Sequence, residues 1–200
     1  MCRIKSPKIK LKTSLILLLI FLTSLQSSSC TQNIKNNNDK NLTFTHYSTN
    51  GVVEDFDMDI LFEESNSTFT AYQVAYLSCT CRDSLVSFKS VCYVEILNTK
   101  DSGDEAAIRY MTFGENKGLF GDTNPNYNKP NHTEEYFDKN LVKPLIGVTK
   151  KEMDEFTGYG YLHETLDVDA MAGATVTATN LQSMLKSLFS YHKNKYYNGK

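Results

Sequence analysis

Near the C-terminus, Leu181, Met184, Leu185, Leu188 and His192 stand at i, i+3, i+4, i+7 and i+11, which sets all five on one side of an α-helix. A helix with one apolar side must bury it, so this segment commits the chain to a fold that supplies a second packing layer. Thr179 with Gln182 fits a cap at the start of that helix. The second layer is legible upstream. From Thr68 to Leu97 the chain is rich in Val, Tyr, Phe and Thr and is interrupted at Cys81-Arg82-Asp83-Ser84, a pattern that predicts two or three antiparallel strands joined by tight turns. In Glu105 to Phe113, Ala106, Ile108, Tyr110 and Thr112 alternate with Ala107, Arg109 and Met111, which reads as a further strand, with a helix as the alternative. Thr133 to Val142 reads as a helix ending at Lys143-Pro144, and Thr149-Lys150-Lys151-Glu152 is a capping box that opens a second short one. The fold class is therefore α+β, a small antiparallel sheet with helices packed on it.

The N-terminus has a different character. Arg3, Lys5, Lys8, Lys10 and Lys12 precede an apolar run from Leu15 to Leu22, the layout of a signal sequence, and the run is shorter than the roughly 20 residues a spanning helix needs. It ends in Gln26-Ser27-Ser28-Ser29-Cys30, which resembles a bacterial lipoprotein cleavage site. In that pattern the cysteine is lipidated and becomes the new N-terminus. Ser27 departs from it, since a leucine is usual three residues before the cysteine, and ordinary cleavage at the serines is the alternative. The expected organisation is a signal peptide over residues 1–29, a lipidated N-terminus and polar tether over 30–60, and a folded domain over 61–200. The tether assignment rests on the Asn, Lys, Thr and Asp that dominate Thr31 to about Asn50, too little apolar surface to offset chain entropy.

Loss of the leader takes Lys plus Arg from 21 to 16 against 23 acids, so the net charge moves from −2 to −7. An acidic surface repels phosphate backbones, and nucleic acid is not an expected partner. Once Cys2 leaves with the leader and Cys30 is assigned to lipid, Cys79, Cys81 and Cys92 remain. They read as strand residues first, with a bridge from Cys92 to Cys79 or Cys81 as the second reading.

Chemistry concentrates just before the last helix, in Asp169-Ala170-Met171-Ala172-Gly173-Ala174-Thr175-Val176-Thr177. Small residues let backbone approach a ligand closely, and Gly173 is free to adopt positive φ where the chain turns into the helix. Amides at a helix start, together with the positive end of its dipole, form a site for an anion such as phosphate beside Thr175. A helix start in which Thr175 or Thr177 serves only as a cap accounts for the same residues.

The segment resembles the flavinylation motif of FMN-binding domains, D-x-x-S/T-G-A-T, as found in peripheral subunits of sodium-pumping NADH:quinone reductases and Rnf-type complexes. Asp169, Gly173, Ala174 and Thr175 match it, while Ala172 stands where Ser or Thr is usual. The helix start Asn180-Leu181-Gln182-Ser183-Met184-Leu185 is similar to the family's continuation. Glu115-Asn116-Lys117-Gly118-Leu119-Phe120-Gly121-Asp122 resembles, with one insertion, its Gly-rich loop, and the likeness spans roughly Thr68 to Tyr197. The resemblance implies FMN as cofactor, joined as a phosphoester to Thr175 by a dedicated flavin transferase. It implies a cofactor site built from Asp169, Ala172, Gly173, Ala174, Thr175, Val176 and Thr177 with Gly118, Leu119 and Phe120 of the loop. Leu119, Phe120, Tyr159 and Tyr161 are candidates for the wall beside the isoalloxazine, and Asp169 for recognition during attachment, with core packing and a turn role as the simpler readings. The expected role is an electron carrier on the outer face of the cytoplasmic membrane. It would take electrons from a membrane reductase or quinol and be held to lipid through Cys30. A reversible FMN or phosphate module and a flavin-free surface interaction protein are the alternatives. His163 reads as structural or exposed.

Overall fold

The computed structural model describes residues 42–48, 50–79, 88–114, 134–167, 169 and 174–197, all within the unit Lys40–Lys200. Five strands form one antiparallel sheet in chain order: β1 (Leu42–Tyr47), β2 (Val53–Ser65), β3 (Phe69–Cys79), β4 (Phe88–Leu97) and β5 (Ile108–Phe113). Alternation sets their inward face. In β3 and β4 the facing residues Tyr72 and Val94, Val74 and Cys92, and Tyr76 and Ser90 point into the core, whereas Gln73 and Lys89 point out. Helical elements follow. Helix α1 (Glu134–Phe137) passes into a π-turn (Asp138–Val142) and a 3₁₀ turn (Lys143–Leu145), where Pro144 has no N–H to offer the Asn140 carbonyl. Helix α2 (Lys150–Met153) has the expected capping box, with the Glu152 amide donating to Thr149 Oγ1 at 3.2 Å and the Thr149 amide to the Glu152 carboxylate at 2.7 Å. Helix α3 (Thr175–Tyr196) buries Leu181, Met184, Leu185, Leu188 and His192 against Phe44, Tyr72, Val74 and Tyr76. The α+β reading holds. Among the described residues no helix is long and apolar enough to cross a membrane.

The sheet begins earlier than the composition implied. Residues 42–47 and 53–60, which fall in the span read as tether, are β1 and the first part of β2. Their acids mask a strand pattern: Asp55, Asp57 and Asp59 face solvent while Phe56, Met58 and Ile60 alternate with them and turn inward. Strand β2 serves two partners in turn, β1 through Val53–Met58 and β3 from Asp59 onward, with a bulge between Ile60 and Phe62. The extra residue reverses the side-chain phase and brings Glu63 to the α3 side. There its carboxylate accepts from Tyr191 Oη (2.9 Å), Tyr196 Oη (2.8 Å) and Lys195 Nζ (2.6 Å). Burial alone would raise the Glu63 carboxyl, but those three donors outweigh it and hold it below the usual value.

One further expectation is corrected, while Cys79 and Cys92, read first as strand residues, do lie in β3 and β4. Helix α3 starts at Thr175, one turn before the cap read at Thr179 and Gln182, so Thr179 is an interior, fully buried residue. Cys92 is a free, fully buried thiol whose pKa is raised by that burial. Cys79 pairs with Phe88, four residues from Cys92, which is about 13 Å along a strand and beyond the roughly 7 Å limit for a disulfide. Cys81 lies outside the described residues. We expect Cys92 to resist thiol reagents in the folded protein and to react at once in denaturant, as a timed thiol titration would show.

Two histidines are buried without charge. His46 is edge-on to Phe44 and Phe56, and His192 Nδ1 is 2.8 Å from Tyr72 Oη. Burial lowers both to about 4, the Leu97 carbonyl and Glu63 only partly offsetting the effect at His192. A folded pKa below the unfolded value of about 6.5 means that the unfolded chain binds more protons between those limits, so both histidines favour folding above pH 6.5. That contribution fades as pH falls from about 6.5 to about 4. The urea midpoint should drop across this window, and the drop should be smaller in His46→Phe. An unchanged pH profile in that variant would show that His46 does not titrate on unfolding.

Candidate functional site

The start of α3 is fixed to the sheet by one side chain. Asn180, fully buried, accepts from the Tyr47 amide (2.8 Å) and donates to the carbonyls of Tyr47 (3.0 Å) and Ser78 (2.9 Å). Tyr47 ends β1 opposite Val53 of β2, whereas Ser78 lies on β3 beyond its last partner in β2, so Asn180 bridges β1 and β3 where β2 does not pair with both. One turn further on, Ser183 Oγ donates to the Thr45 carbonyl at 2.6 Å. The helix thus enters the fold with its first turns held in place.

Within Ala174–Thr177, burial separates the residues by role. Ala174, Val176 and Thr177 are buried, and Thr175 alone keeps access to solvent. Ala174 is the residue preceding the helix and makes no side-chain cap, and no acid lies in the first turn. The positive end of the helix dipole is therefore not offset by the helix's own side chains, and Thr175, a partly buried residue, stands at that end. This arrangement suits an anion carried on Thr175 Oγ1. Asp169 is exposed, and its amide donates to the Asp167 carboxylate at 2.9 Å, so its own carboxylate faces solvent rather than the core. Ala172, Gly173, Gly118, Leu119 and Phe120 lie outside the described residues, as does Cys30.

The segment after α2 lies across the same turns of the helix. Gln182 donates to the Tyr161 carbonyl (3.1 Å) and accepts from the His163 amide (2.9 Å), and the Gly160 amide reaches Thr179 Oγ1 at 3.4 Å. Lys186 Nζ donates to the carbonyls of Asp154 and Phe156, each at 3.0 Å. His163 is buried and its Nδ1 is 2.9 Å from Thr165 Oγ1, in keeping with a structural role. Tyr161 is edge-on to Phe156, and Phe156 to Tyr47, with centroids 5.6 and 5.8 Å apart. Tyr159 is 54% exposed. Of the four aromatic and aliphatic wall candidates, the fold thus brings Tyr159 and Tyr161 beside the first turns of α3.

The sequence marks Asn180 and Gln182 only as part of a helix start. Their signal was present: two amide side chains, two residues apart, within an apolar helix imply buried polar groups that need specific partners. Tyr47 gave none, because its contact with Asn180 spans 133 residues.

A model of the FMN-binding domain family matches residues 91–190, a narrower span than Thr68 to Tyr197. The match begins in β4, takes in Thr175 and ends inside α3. No curated protein and no solved structure matches the chain.

Proposed function

Because the chain belongs to the FMN-binding domain family and FMN is its cofactor, we propose that it is an exported, lipid-anchored flavoprotein. It carries FMN as a phosphoester on Thr175 and passes electrons between a membrane donor and an acceptor outside the cytoplasm. The observation that supports this most is the burial contrast at the start of α3. Ala174, Val176 and Thr177 are packed away, and the one residue among the four that keeps access to solvent is Thr175, which matches the acceptor of the family motif. Bound FMN would supply reversible electron transfer. The chain's own part is to present Thr175 Oγ1, favour the phosphate charge through the helix dipole, and shield the ring with neighbouring side chains. Esterification joins Thr175 Oγ1 to the phosphorus of a flavin phosphoanhydride held by a flavin transferase: the new P–O bond replaces the anhydride P–O bond, the second phosphate-bearing fragment leaves with that oxygen, and the hydroxyl proton passes to a base or water.

Export and anchoring rest on the basic and apolar leader and on Cys30. A covalent link has a clear advantage for a protein outside the cytoplasm, where dissociated FMN would be lost by dilution. The mass of the mature protein from its native host tests all three parts at once. The expected mass is that of a chain beginning at Cys30 with a lipid and with one FMN less water. Flavin released by acid would instead show reversible binding and give Ala172 a reason. A mass without flavin or lipid would leave a surface interaction protein as the surviving reading.

A further inference from the structure

The segment Gly158-Tyr159-Gly160 presents an aromatic ring to solvent on a rigid turn. Gly158 has φ +129° and Gly160 φ +80°, both in the region that side chains avoid. A Cβ on Gly160 would meet nothing within 4 Å, so that position is glycine for its backbone angle rather than for space. A Cβ on Gly158 would in addition press on the Tyr47 ring at 3.3 Å. The turn is closed by the Tyr161 amide on the Gly158 carbonyl (3.0 Å) and fixed to α3 through Thr179 and Gln182. Thr179 is four residues after Thr175, so the two share a helix face about 6 Å apart along the axis. Tyr161 is already engaged with Phe156, whereas Tyr159 remains 54% exposed. A large ring held open on two constrained glycines, one helical turn from the attachment residue, has the placement of a ligand contact.

We infer that Tyr159 is the side chain on which the isoalloxazine of FMN rests, an inference that depends on the attachment at Thr175 proposed above. A phenol in face contact quenches flavin emission by donating an electron to the excited ring and recovering it, and it also screens that ring from solutes. Tyr159→Leu and Tyr159→Phe, made in the full chain with the flavin transferase, separate these effects. Emission per attached flavin should rise severalfold in both variants, because phenylalanine is too hard to oxidise to quench. Iodide should reach the flavin in Tyr159→Leu but much less in Tyr159→Phe, which keeps the ring area. The melting curve should be unchanged, since Tyr159 is outside the core. If flavin is attached in Tyr159→Leu, as its mass would report, but emission and iodide access equal those of the wild type, the placement of Tyr159 is wrong. A wild-type chain without flavin on Thr175 would overturn the attachment itself, and with it this role for Tyr159.

Discussion

Denatured Thr175→Ala protein, produced beside a flavin transferase, is expected to show no flavin fluorescence on a gel where the wild type gives a bright band. The loss should be complete rather than graded, because a phosphoester needs an oxygen on the side chain and alanine has none. Thr175→Ser keeps the oxygen and should keep a band, at lower yield, since serine holds its hydroxyl in a single rotamer less firmly than a β-branched residue does. Thr177→Ala is the control. Its hydroxyl is buried and the residue already has a partner within the protein, so the variant should lose about 1 kcal/mol of stability and retain its flavin. A flavin band that survives in Thr175→Ala and disappears in Thr177→Ala would move the acceptor by two residues and place it inside the core, which the burial of Thr177 opposes. Thermal unfolding of Thr175→Ala should lie close to that of unflavinylated wild type, because a partly buried threonine in the first turn contributes little packing.

What the sequence disclosed depended on how local the signal was. Helix α3, its buried residues, β3, β4, β5 and the capping box at Thr149 all carry their pattern within a few residues, and all were legible. Strand β1 and the first half of β2 were not, because a window dominated by Asn, Lys, Asp and Glu reads as unstructured even when Phe44, Phe56, Met58 and Ile60 alternate within it. Alternation was the better guide there, since period decides which face is buried and composition does not. The start of α3 was misplaced for a related reason. Thr175, Thr177 and Thr179 are each plausible caps by type, and only tertiary packing shows that Thr179 is interior. At the site, the motif that marks Thr175 as the proposed acceptor was legible because it is short and contiguous. The parts that position it were not, since Tyr47 with Asn180 and Tyr161 with Gln182 are pairs that only the folded chain brings together.

That dependence on distant partners makes Asn180 the residue whose loss should cost most. Asn180→Leu keeps a similar volume but strips partners from the Tyr47 amide, the Tyr47 carbonyl and the Ser78 carbonyl at once, with Asn180 itself fully buried. Each buried group left unmatched costs about 1–3 kcal/mol, and some relaxation toward water is available near the strand ends, so a loss of about 3 kcal/mol is expected. The urea midpoint should fall by that loss divided by the slope, with the slope itself unchanged if unfolding stays two-state. A reduced slope would mean that β1, joined to the rest of the sheet only through β2 and clamped to α3 by Asn180 and Ser183, detaches before the remainder unfolds. Flavin loading should also decline in Asn180→Leu although Thr175 is untouched, because the first turn of α3 is presented at the surface only while the helix is anchored to β1 and β3. A stability within about 0.5 kcal/mol of the wild type would mean that water replaces the amide at no cost, and the positioning of the proposed acceptor would then have to come from the Ser183, Gln182 and Lys186 contacts.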